Sequence, residues 1–303
     1  MADIALAART IGYEAEVEAH PDASNPLCAF RAIFTRAAPG DEFDLARQIP
    51  LRVTNRKTGS HGELTALERM TLQLAAKHHG GTLELLETAA DLDSIAALLG
   101  RCDRFQLLTP AGHQDMFSEL RFTPAQAART RDGLDVDLLE LNATDRAALT
   151  MLSDWRVMQR LRQFGGGTGL EQMARRAIPG SVAVGLVRVS GRNSAAFVQG
   201  GRVVQRVWLT ATQLGLAIHP WTALPYLIAR LVEGNGLGFD TQEIQWFSSL
   251  TAEYERLFPT TAGCAEVMLW RISRAASPTA QSLRRPVDEV FQVTQLGNKW
   301  SQR

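Results

Sequence analysis

The sequence predicts an α+β protein. Long stretches with helical spacing of apolar residues are separated by a few β-branched segments, and helices and strands do not alternate regularly as they do around a parallel sheet. The 303 residues, 45% hydrophobic and 21% charged, have the composition of an ordinary globular protein. We therefore expect one or two domains with a buried core.

The first strong helix prediction follows residue 60. Ser60 and Glu63 have the spacing of a capping box, and the apolar residues after them recur at helical spacing until a pair of glycines. This pattern predicts a helix over 62–79. The alternating segment 82–87 after the glycines predicts a short strand.

The next elements are predicted from their end signals. Asp91 is a typical N-cap and Gly100 a typical C-terminal stop, so we expect a helix between them. Pro124, directly after a threonine, indicates another helix start, and Asp132 followed by glycine indicates a turn. In the second half we predict helical segments near 144–163 and 169–177, a strand over 182–189, a long helix over 193–214, a helix near 239–257 and a strand over 266–273.

The stretch 207–229 has no side chain that is always charged, since His219 carries a charge only when it is protonated, and it is long enough to cross a bilayer. It also contains Gln213, Pro220 and Pro225, which a membrane helix would accommodate poorly. We therefore predict a buried helix, a turn and a second helix, and no membrane span.

Charge and cysteine content exclude several classes of protein. Thirty-two basic residues balance 32 acidic ones, so no overall field attracts nucleic acid or an anionic membrane. Cys28, Cys102 and Cys264 are far apart and form no metal-binding or redox motif, which predicts small buried side chains. The acidic first residues do not resemble a signal peptide. These features predict a cytoplasmic protein.

Two segments of the chain resemble two others in the same order. Residues 6–13 are similar to 209–216, a helix end with a glycine stop, and each is followed by a His-Pro pair. Residues 29–39 are similar to 267–278 and share the order Thr/Ser-Arg-Ala-Ala. The matches predict two related halves, 1–140 and 141–303, packed about a pseudo-twofold axis like the subunits of a homodimer. The alternative is chance similarity between alanine-rich helix ends.

The first copy of the repeat has little sequence before it. The helix of the second copy is preceded by several other elements, whereas that of the first is preceded only by residues 1–5. We expect that the first half is truncated at its N-terminus, either because the chain derives from a longer protein or because another segment supplies what is missing.

Two arginine clusters stand out against the neutral background. Arg52 and Arg56 flank Thr54, and Arg284 and Arg285 follow a serine. Guanidinium forks with a nearby hydroxyl are well suited to bind phosphate. The alternative is that both clusters are solvated turns. The prolines beside them connect both clusters to packed elements and favour an anion site.

These clusters resemble a known family. Arg52-x-Thr54-x-Arg56 is similar to the R-x-S-x-R phosphate arm of FMN-dependent nitroreductases, and residues 284–290 are similar to their C-terminal phosphate segment. Residues 200–221 resemble the central helix and the strand after it. Residues 118–136 resemble a sequence segment that recurs in one branch of this family, whose members have two halves in a single chain. This branch comprises Acg-like proteins and nitroreductase halves fused to ThiF-type adenylation domains.

The resemblance implies a nitroreductase-like fold, an antiparallel-rich sheet flanked by helices, and an FMN site. It implies that FMN takes hydride from NAD(P)H and passes it to a nitroaromatic or quinone, with no catalytic side chain and no metal. It further implies a homodimer or an intramolecular pseudo-dimer. The implied FMN-binding residues are Arg52, Thr54, Arg56, Leu216, Ala217, Ile218, His219, Arg284 and Arg285, with Trp221 at the edge of the ring.

The chain departs from that branch at one point. The P-S-x-x-N-x-Q-P-W segment that normally precedes the arginine arm is missing, which implies weak or absent FMN binding. Two other functions therefore remain open: a module that holds or lacks flavin without turnover, and an accessory half of an adenylation-linked system.

The remaining motifs predict ordinary structure. The glycine runs at 165–169 and 234–238 lack the residues or spacing of a nucleotide-binding loop and predict turns between helices. His78 and His79 are adjacent on a helix and point to different sides, so we predict no metal site there.

Overall fold

The computed structural model of the chain describes residues 2–19, 24–25, 27–28, 30–40, 42–60 and 62–293. Its largest sheet has four strands, and each neighbouring pair runs antiparallel. Helices cover both faces of this sheet. The α+β prediction, with an antiparallel-rich sheet flanked by helices, is confirmed.

The strands form three sheets. The four-stranded sheet has the order β3-β6-β8-β7, β1 and β2 form an antiparallel ribbon, and β4 and β5 form a short parallel pair. The strands are β1 (Tyr13–Ala19), β2 (Phe30–Arg36), β3 (Gly81–Leu86), β4 (Leu120–Arg121), β5 (Leu134–Asp135), β6 (Ala183–Ser190), β7 (Ala217–Pro220) and β8 (Cys264–Ser273).

Helices account for most of the remaining described chain. They are α1 (Ala2–Thr10), α2 (Phe43–Ala46), α3 (Ala66–Lys77), α4 (Ala89–Leu108), α5 (Pro110–Glu119), α6 (Pro124–Thr130), α7 (Ala143–Leu152), α8 (Trp155–Gln163), α9 (Gln172–Ala177), α10 (Ser194–Gln213), α11 (Ala223–Val232), α12 (Thr241–Leu257) and α13 (Val287–Val290), with 3-10 turns over Val136–Leu139 and Thr168–Glu171.

Helix α3 begins later than predicted. Its N-cap is Thr65, whose side chain accepts a hydrogen bond from the backbone of Glu68, while the Glu68 carboxylate accepts one from the Thr65 backbone. This second capping box occurs five residues after the predicted one. Ser60 instead pairs with Arg274 in an isolated β-bridge, and His61, in the predicted cap, lies outside the described residues.

Helix α4 is twice as long as predicted. Thr88 caps it, Asp91 lies in its first turn, and the helix continues through Gly100 to Leu108. Gly100 does not end the helix but lies inside it, where the helix backbone comes close to Glu171. A Cβ at this position would lie 2.8 Å from the backbone oxygen of Glu171.

The uncharged stretch 207–229 contains strand β7, which its composition did not predict but which the family resemblance of residues 200–221 implied. The end of α10 is followed by Gly215, with φ of +70°, then by β7 and by the start of α11. In the described part of the chain, no helix has the length and hydropathy needed to cross a bilayer. The predictions for 82–87, 182–189, 193–214, 239–257 and 266–273 are confirmed within a few residues.

The core lies on both faces of the four-stranded sheet. One buried cluster joins the sheet to α3 and α10, and the other joins it to α4, α11 and α12. Of the three cysteines, Cys102 alone is buried, whereas Cys28 and Cys264 are partly exposed, contrary to the prediction for those two. Strand β3 comes from residues 1–140 and its partner β6 from 141–303, so this sheet draws on both predicted halves.

Candidate functional site

The predicted arginine arm lies along the edge strand of the main sheet. Thr54 forms a parallel bridge with Ile218, and the Asn55 backbone N–H donates to the Ile218 carbonyl over 2.9 Å. The buried Asn55 side chain also donates to the carbonyl of Ala276 over 2.8 Å. The structure therefore brings together two groups that the sequence separates widely, Arg52–Arg56 and Leu216–His219.

Arg52 lies near the C-terminal arginine cluster. Its guanidinium carbon is 4.5 Å from the ring centre of Trp208. Burial lowers the pKa of Arg52, Asp3 acts in the opposite sense, and the positive charge of Arg284 lowers this pKa further. The positive charges of two arginines from distant parts of the sequence therefore act on each other, although burial has the larger effect on Arg52.

The other members of the arginine clusters have contacts of their own. Arg56 donates to the carbonyl of Leu138 over 3.4 Å, and burial lowers its pKa while Glu140 partly offsets this. Arg285 lies 3.9 Å from Asp132. The structure therefore places Arg285 beside the turn at 132, where it has a carboxylate partner.

A cavity of about 510 Å³ opens beside β7. This volume lies within the range of about 300–1,000 Å³ that small-molecule and cofactor sites occupy. Its wall combines apolar side chains with a few charged ones. The charged and aromatic lining residues are Arg56, Asp103, Glu140, Asp145, Arg176, His219 and Trp221, and the apolar ones include Leu107, Met116, Leu139, Leu141 and Met173.

His219 contributes a neutral imidazole to this wall. Burial, together with the positive charges of Arg271 and Arg56, lowers the pKa of His219 well below its usual value. Its Nδ1 is buried and has no hydrogen-bond partner among the described residues. A buried polar atom without a partner at a cavity wall is a site where a ligand can complete the hydrogen bonding.

Arg271 lies opposite His219 in the β7–β8 pair and is fully buried. Its guanidinium donates to the carbonyls of Ala177 and Lys57 over 3.1 and 2.7 Å. Burial, with a further effect of Arg56, lowers its pKa to about 10. We did not predict this residue, because a single arginine in an apolar strand gives no sequence signal for function.

Asp103 supplies a carboxyl group that the sequence did not single out. It lies on α4 and lines the cavity. Burial raises the pKa of Asp103 to about 7, although a hydrogen bond from the Trp221 side chain lowers it in part. This carboxyl group is therefore partly protonated near neutral pH. Its hydrogen-bond partner is Trp221, the residue that we predicted at the edge of the FMN ring.

The residues present fit an FMN molecule. The cavity has an unpaired polar atom on His219 and apolar walls suited to a planar ring. Of the predicted FMN-binding residues, Arg56 and His219 line it together with Trp221. The other predicted residues do not line the cavity; they are Arg52, Thr54, Leu216, Ala217, Ile218, Arg284 and Arg285. Among the described residues, no group of three His, Cys, Asp or Glu side chains could hold a metal ion. His78 and His79 form an edge-to-face ring pair.

No family model matches this chain. It is 33% identical over 288 residues to an uncharacterized protein of Mycobacterium tuberculosis (strain CDC 1551 / Oshkosh), a match that covers 93% of this chain and 38% of that protein. The chain thus spans well under half the length of this relative.

Three solved structures are also similar to the chain. An iodotyrosine deiodinase bound to FMN and 3-iodo-L-tyrosine has a TM-score of 0.43 and 12% identity, covering 84% of this chain and 99% of that one. A BluB-like flavoprotein from Clostridium difficile 630 has a TM-score of 0.45 and 10% identity, covering 83% and 99%. A nitroreductase with bound FMN from Desulfitobacterium hafniense DCB-2 has a TM-score of 0.44 and 12% identity, covering 83% and 98%.

Proposed function

We propose that this chain binds FMN and acts as an oxidoreductase of nitroreductase type, which transfers hydride from NAD(P)H to a small acceptor such as a nitroaromatic or a quinone. The observation that carries the proposal is the Arg52–Arg56 arm bridged to strand β7 at Ile218, with Arg56 and His219 lining one cavity. Arg52, Arg56 and the Thr54 hydroxyl on one arm form a donor set for a phosphate dianion, and the positive charge of Arg284 acts on Arg52. Arg285 is included in this proposal as a positive charge that does not bind the phosphate directly, since its guanidinium lies 3.9 Å from the Asp132 carboxylate.

The side chains around the cavity have separate tasks in this proposal. Bound FMN would supply the hydride chemistry. The backbone of Leu216, Ala217 and Ile218 would lie along its ring, Arg56 would provide positive charge at the polar end, and the free Nδ1 of His219 would form a hydrogen bond. The Asp103 carboxyl group, with a pKa near 7, can hold a proton for the acceptor.

A second candidate function is a module that holds flavin without turnover. One observation favours it: the segment 134–142 forms part of the cavity wall and is held by hydrogen bonds to two other parts of the chain. The Leu138 carbonyl accepts a hydrogen bond from Arg56, and the Glu140 carboxylate accepts two from Thr279, over 2.7 and 2.8 Å. If this wall segment stays fixed when FMN is bound, it would restrict access of a nicotinamide to the ring.

FMN titration tests the binding proposal. We expect the protein to take up FMN and show flavin absorbance, and the double variant Arg52→Gln/Arg284→Gln to bind it about 10- to 100-fold more weakly, as expected for loss of charge-assisted hydrogen bonds. Arg160→Gln, an exposed arginine on α8, is the matched control and should bind like the parent chain. A parent chain that takes up no FMN would refute the proposal.

Turnover separates the two candidates. Oxidation of NADH or NADPH in the presence of a nitroaromatic or a quinone supports the oxidoreductase. Bound FMN that no nicotinamide reduces supports the holding module. The cytoplasmic location, and the homodimer or intramolecular pseudo-dimer, remain predictions that accompany this proposal.

A further inference from the structure

Arg271 connects strand β8 to two segments that are far from it in the sequence. The strand around it is buried, and the arginine itself is 0% exposed. Its Nη1 donates to the carbonyl of Ala177, the last residue of α9, over 3.1 Å. Its Nη2 donates to the carbonyl of Lys57, which directly follows the arginine arm Arg52–Arg56, over 2.7 Å. One guanidinium group therefore holds three separate parts of the chain together.

The two carbonyls lie next to the arginines of the cavity wall. Among the described residues, two arginines line the cavity beside β7, Arg56 and Arg176. Arg56 directly precedes Lys57, and Arg176 directly precedes Ala177. Arg271 does not line the cavity itself, but it holds the backbone beside each of the two arginines that do.

The charge of Arg271 has no carboxylate to balance it. Among the described residues, no aspartate or glutamate forms an ion pair with this guanidinium, and burial together with the positive charge of Arg56 lowers its pKa to about 10. The group is therefore still charged at neutral pH. Because an unpaired buried charge is unfavourable, Arg271 does not stabilise β8 through its charge. Its contribution lies in the two hydrogen bonds, which a planar, forked guanidinium directs to two acceptors at once.

Arg271 completes the contacts that hold the backbone around Arg56. On one side of Arg56, the Asn55 backbone N–H donates to the carbonyl of Ile218 in β7 over 2.9 Å. On the other side, the Lys57 backbone N–H donates to the Asn55 side chain over 3.1 Å, and the Lys57 carbonyl accepts from Arg271. The backbone is thus held on both sides of Arg56, whose side chain lines the cavity.

The second hydrogen bond of Arg271 acts in the same way at the end of α9. Ala177 is the last residue of this helix, so its carbonyl is one of those that a helix leaves without a partner inside the helix. Arg271 donates to this carbonyl from β8 and holds the helix end against the strand. Arg176, one residue earlier, lines the cavity and lies 3.4 Å from Asp145.

We infer that Arg271 is a positioning residue of the candidate site: by fastening the arginine arm and the end of α9 to β8, its guanidinium sets where Arg56 and Arg176 stand at the cavity wall. The inference rests on the proposed function in one respect, that the positioned arm binds the phosphate of FMN. The fastening is a property of the chain without FMN and is tested separately.

Two substitutions separate the hydrogen bonds of Arg271 from its charge. Arg271→Met is unbranched and flexible enough to fill the space, and it removes both the charge and the hydrogen bonds. Arg271→Lys keeps the charge, but a single ammonium group does not reproduce the fork that reaches two carbonyls. Arg101→Met is the matched control, because Arg101 pairs with Glu253 and does not line the cavity. Unchanged exchange of the β6 amides shows that a variant is folded, and Arg271→Lys decides the tests if Arg271→Met does not fold.

Hydrogen exchange of the FMN-free chain measures the fastening. The reporters are the backbone amides of Lys57 and Ile178, which donate to the Asn55 side chain and to the Ala174 carbonyl. We expect them to exchange at least about tenfold faster in Arg271→Met than in the parent, because local opening no longer breaks the hydrogen bonds to Arg271. Both should also exchange faster in Arg271→Lys and at the parent rate in Arg101→Met. Equal exchange in the parent and in the Arg271 variants would overturn the inference.

The comparison of FMN with riboflavin measures what the fastening does for binding. The two flavins differ by the phosphate, so the ratio of their affinities reports the donors that meet the phosphate and not the contacts of the ring. We expect the preference for FMN to fall about tenfold in Arg271→Met, as for a lost charge-assisted hydrogen bond, and to stay at the parent value in Arg101→Met. A chain that is merely less stable would bind both flavins more weakly and keep the ratio.

The lysine variant separates position from charge. Arg271→Lys should also lower the preference for FMN, because it keeps the charge and loses the fork. A parent ratio in Arg271→Lys would assign the effect to charge alone and overturn the inference, as would an unchanged ratio in Arg271→Met. A parent chain that binds neither flavin would refute the proposed function, and the exchange of the Lys57 and Ile178 amides would then decide whether Arg271 positions the two arginines.

Discussion

His219 and Arg271 face each other across the β7–β8 pair, one with a buried Nδ1 and the other with a buried Nε that has no hydrogen-bond partner among the described residues. Burial and the charges of Arg271 and Arg56 lower the pKa of His219 well below its usual value. The imidazole is therefore neutral at physiological pH. A ligand that hydrogen-bonds to both side chains therefore meets the positive charge of Arg271 and no charge on His219.

The lowered pKa of His219 predicts sensitivity to acid. Below about pH 6.5, the unfolded chain protonates this histidine and the folded chain does not, so the free energy of unfolding falls as the pH decreases. His219→Gln removes this contribution. We expect urea unfolding at pH 7.5 and pH 5 to show a smaller loss of stability in the variant than in the parent, and an equal loss would contradict the assignment.

Asp103 predicts the opposite trend. Its pKa is about 7 in the folded chain, against 3.8 in the absence of burial, so the folded state binds more protons between these values and stability falls as the pH rises through this window. Asp103→Asn removes the cost of burying the charge. We expect its Tm to exceed that of the parent by about 2–4 °C at pH 8, from roughly 1 kcal/mol of relief, and not at pH 4.

Local signals predicted most elements but few of their relations. The sequence pattern located β6, α10 and α12, because periodicity and caps depend on neighbouring residues. It misplaced the start of α3, because two capping boxes lie five residues apart and only packing selects Thr65. Local pattern alone did not show β7, a short edge strand whose pairing with β8 is set by tertiary contacts, whereas the family resemblance implied a strand there.

The candidate site was predictable in part for the same reason. Arg52 and Arg56 stood out by their spacing with Thr54, and of the two only Arg56 is among the residues that line the cavity; the binding role of Arg52 and Arg284 stays a prediction. Asp103 and Arg271 differ from ordinary charged residues only in their burial, which depends on α4 and β8 packing together with distant segments. No pattern of neighbouring residues reports that burial.

Arg188 predicts a large loss of stability on substitution. It is 3% exposed and forms ion pairs with Glu84 and Glu266 from the two neighbouring strands. Arg188→Ala removes a buried guanidinium and leaves the partly exposed carboxylates of Glu84 and Glu266 without their partner, so we expect a cost of about 3 kcal/mol, at the lower end for breaking a buried pair. Arg192→Ala, which breaks a partly exposed pair with Glu233, is the matched control and should cost about 0–1 kcal/mol. Similar losses in the two variants, measured by denaturant unfolding, would contradict the distinction.

Adjacent glycines in α10 predict substitutions of opposite sign. A Cβ on Gly200 would lie 2.5 Å from a methyl group of Val267 in β8, whereas a Cβ on Gly201 meets nothing within 4 Å. Gly200→Ala forces the helix away from the sheet and should lower the free energy of unfolding by about 1–3 kcal/mol. Gly201→Ala relieves only the entropic cost of a helical glycine and should raise it by about 0.5–1 kcal/mol. Because the two positions share one helix and one substitution, equal effects in urea unfolding would show that α10 does not pack on β8 through Gly200.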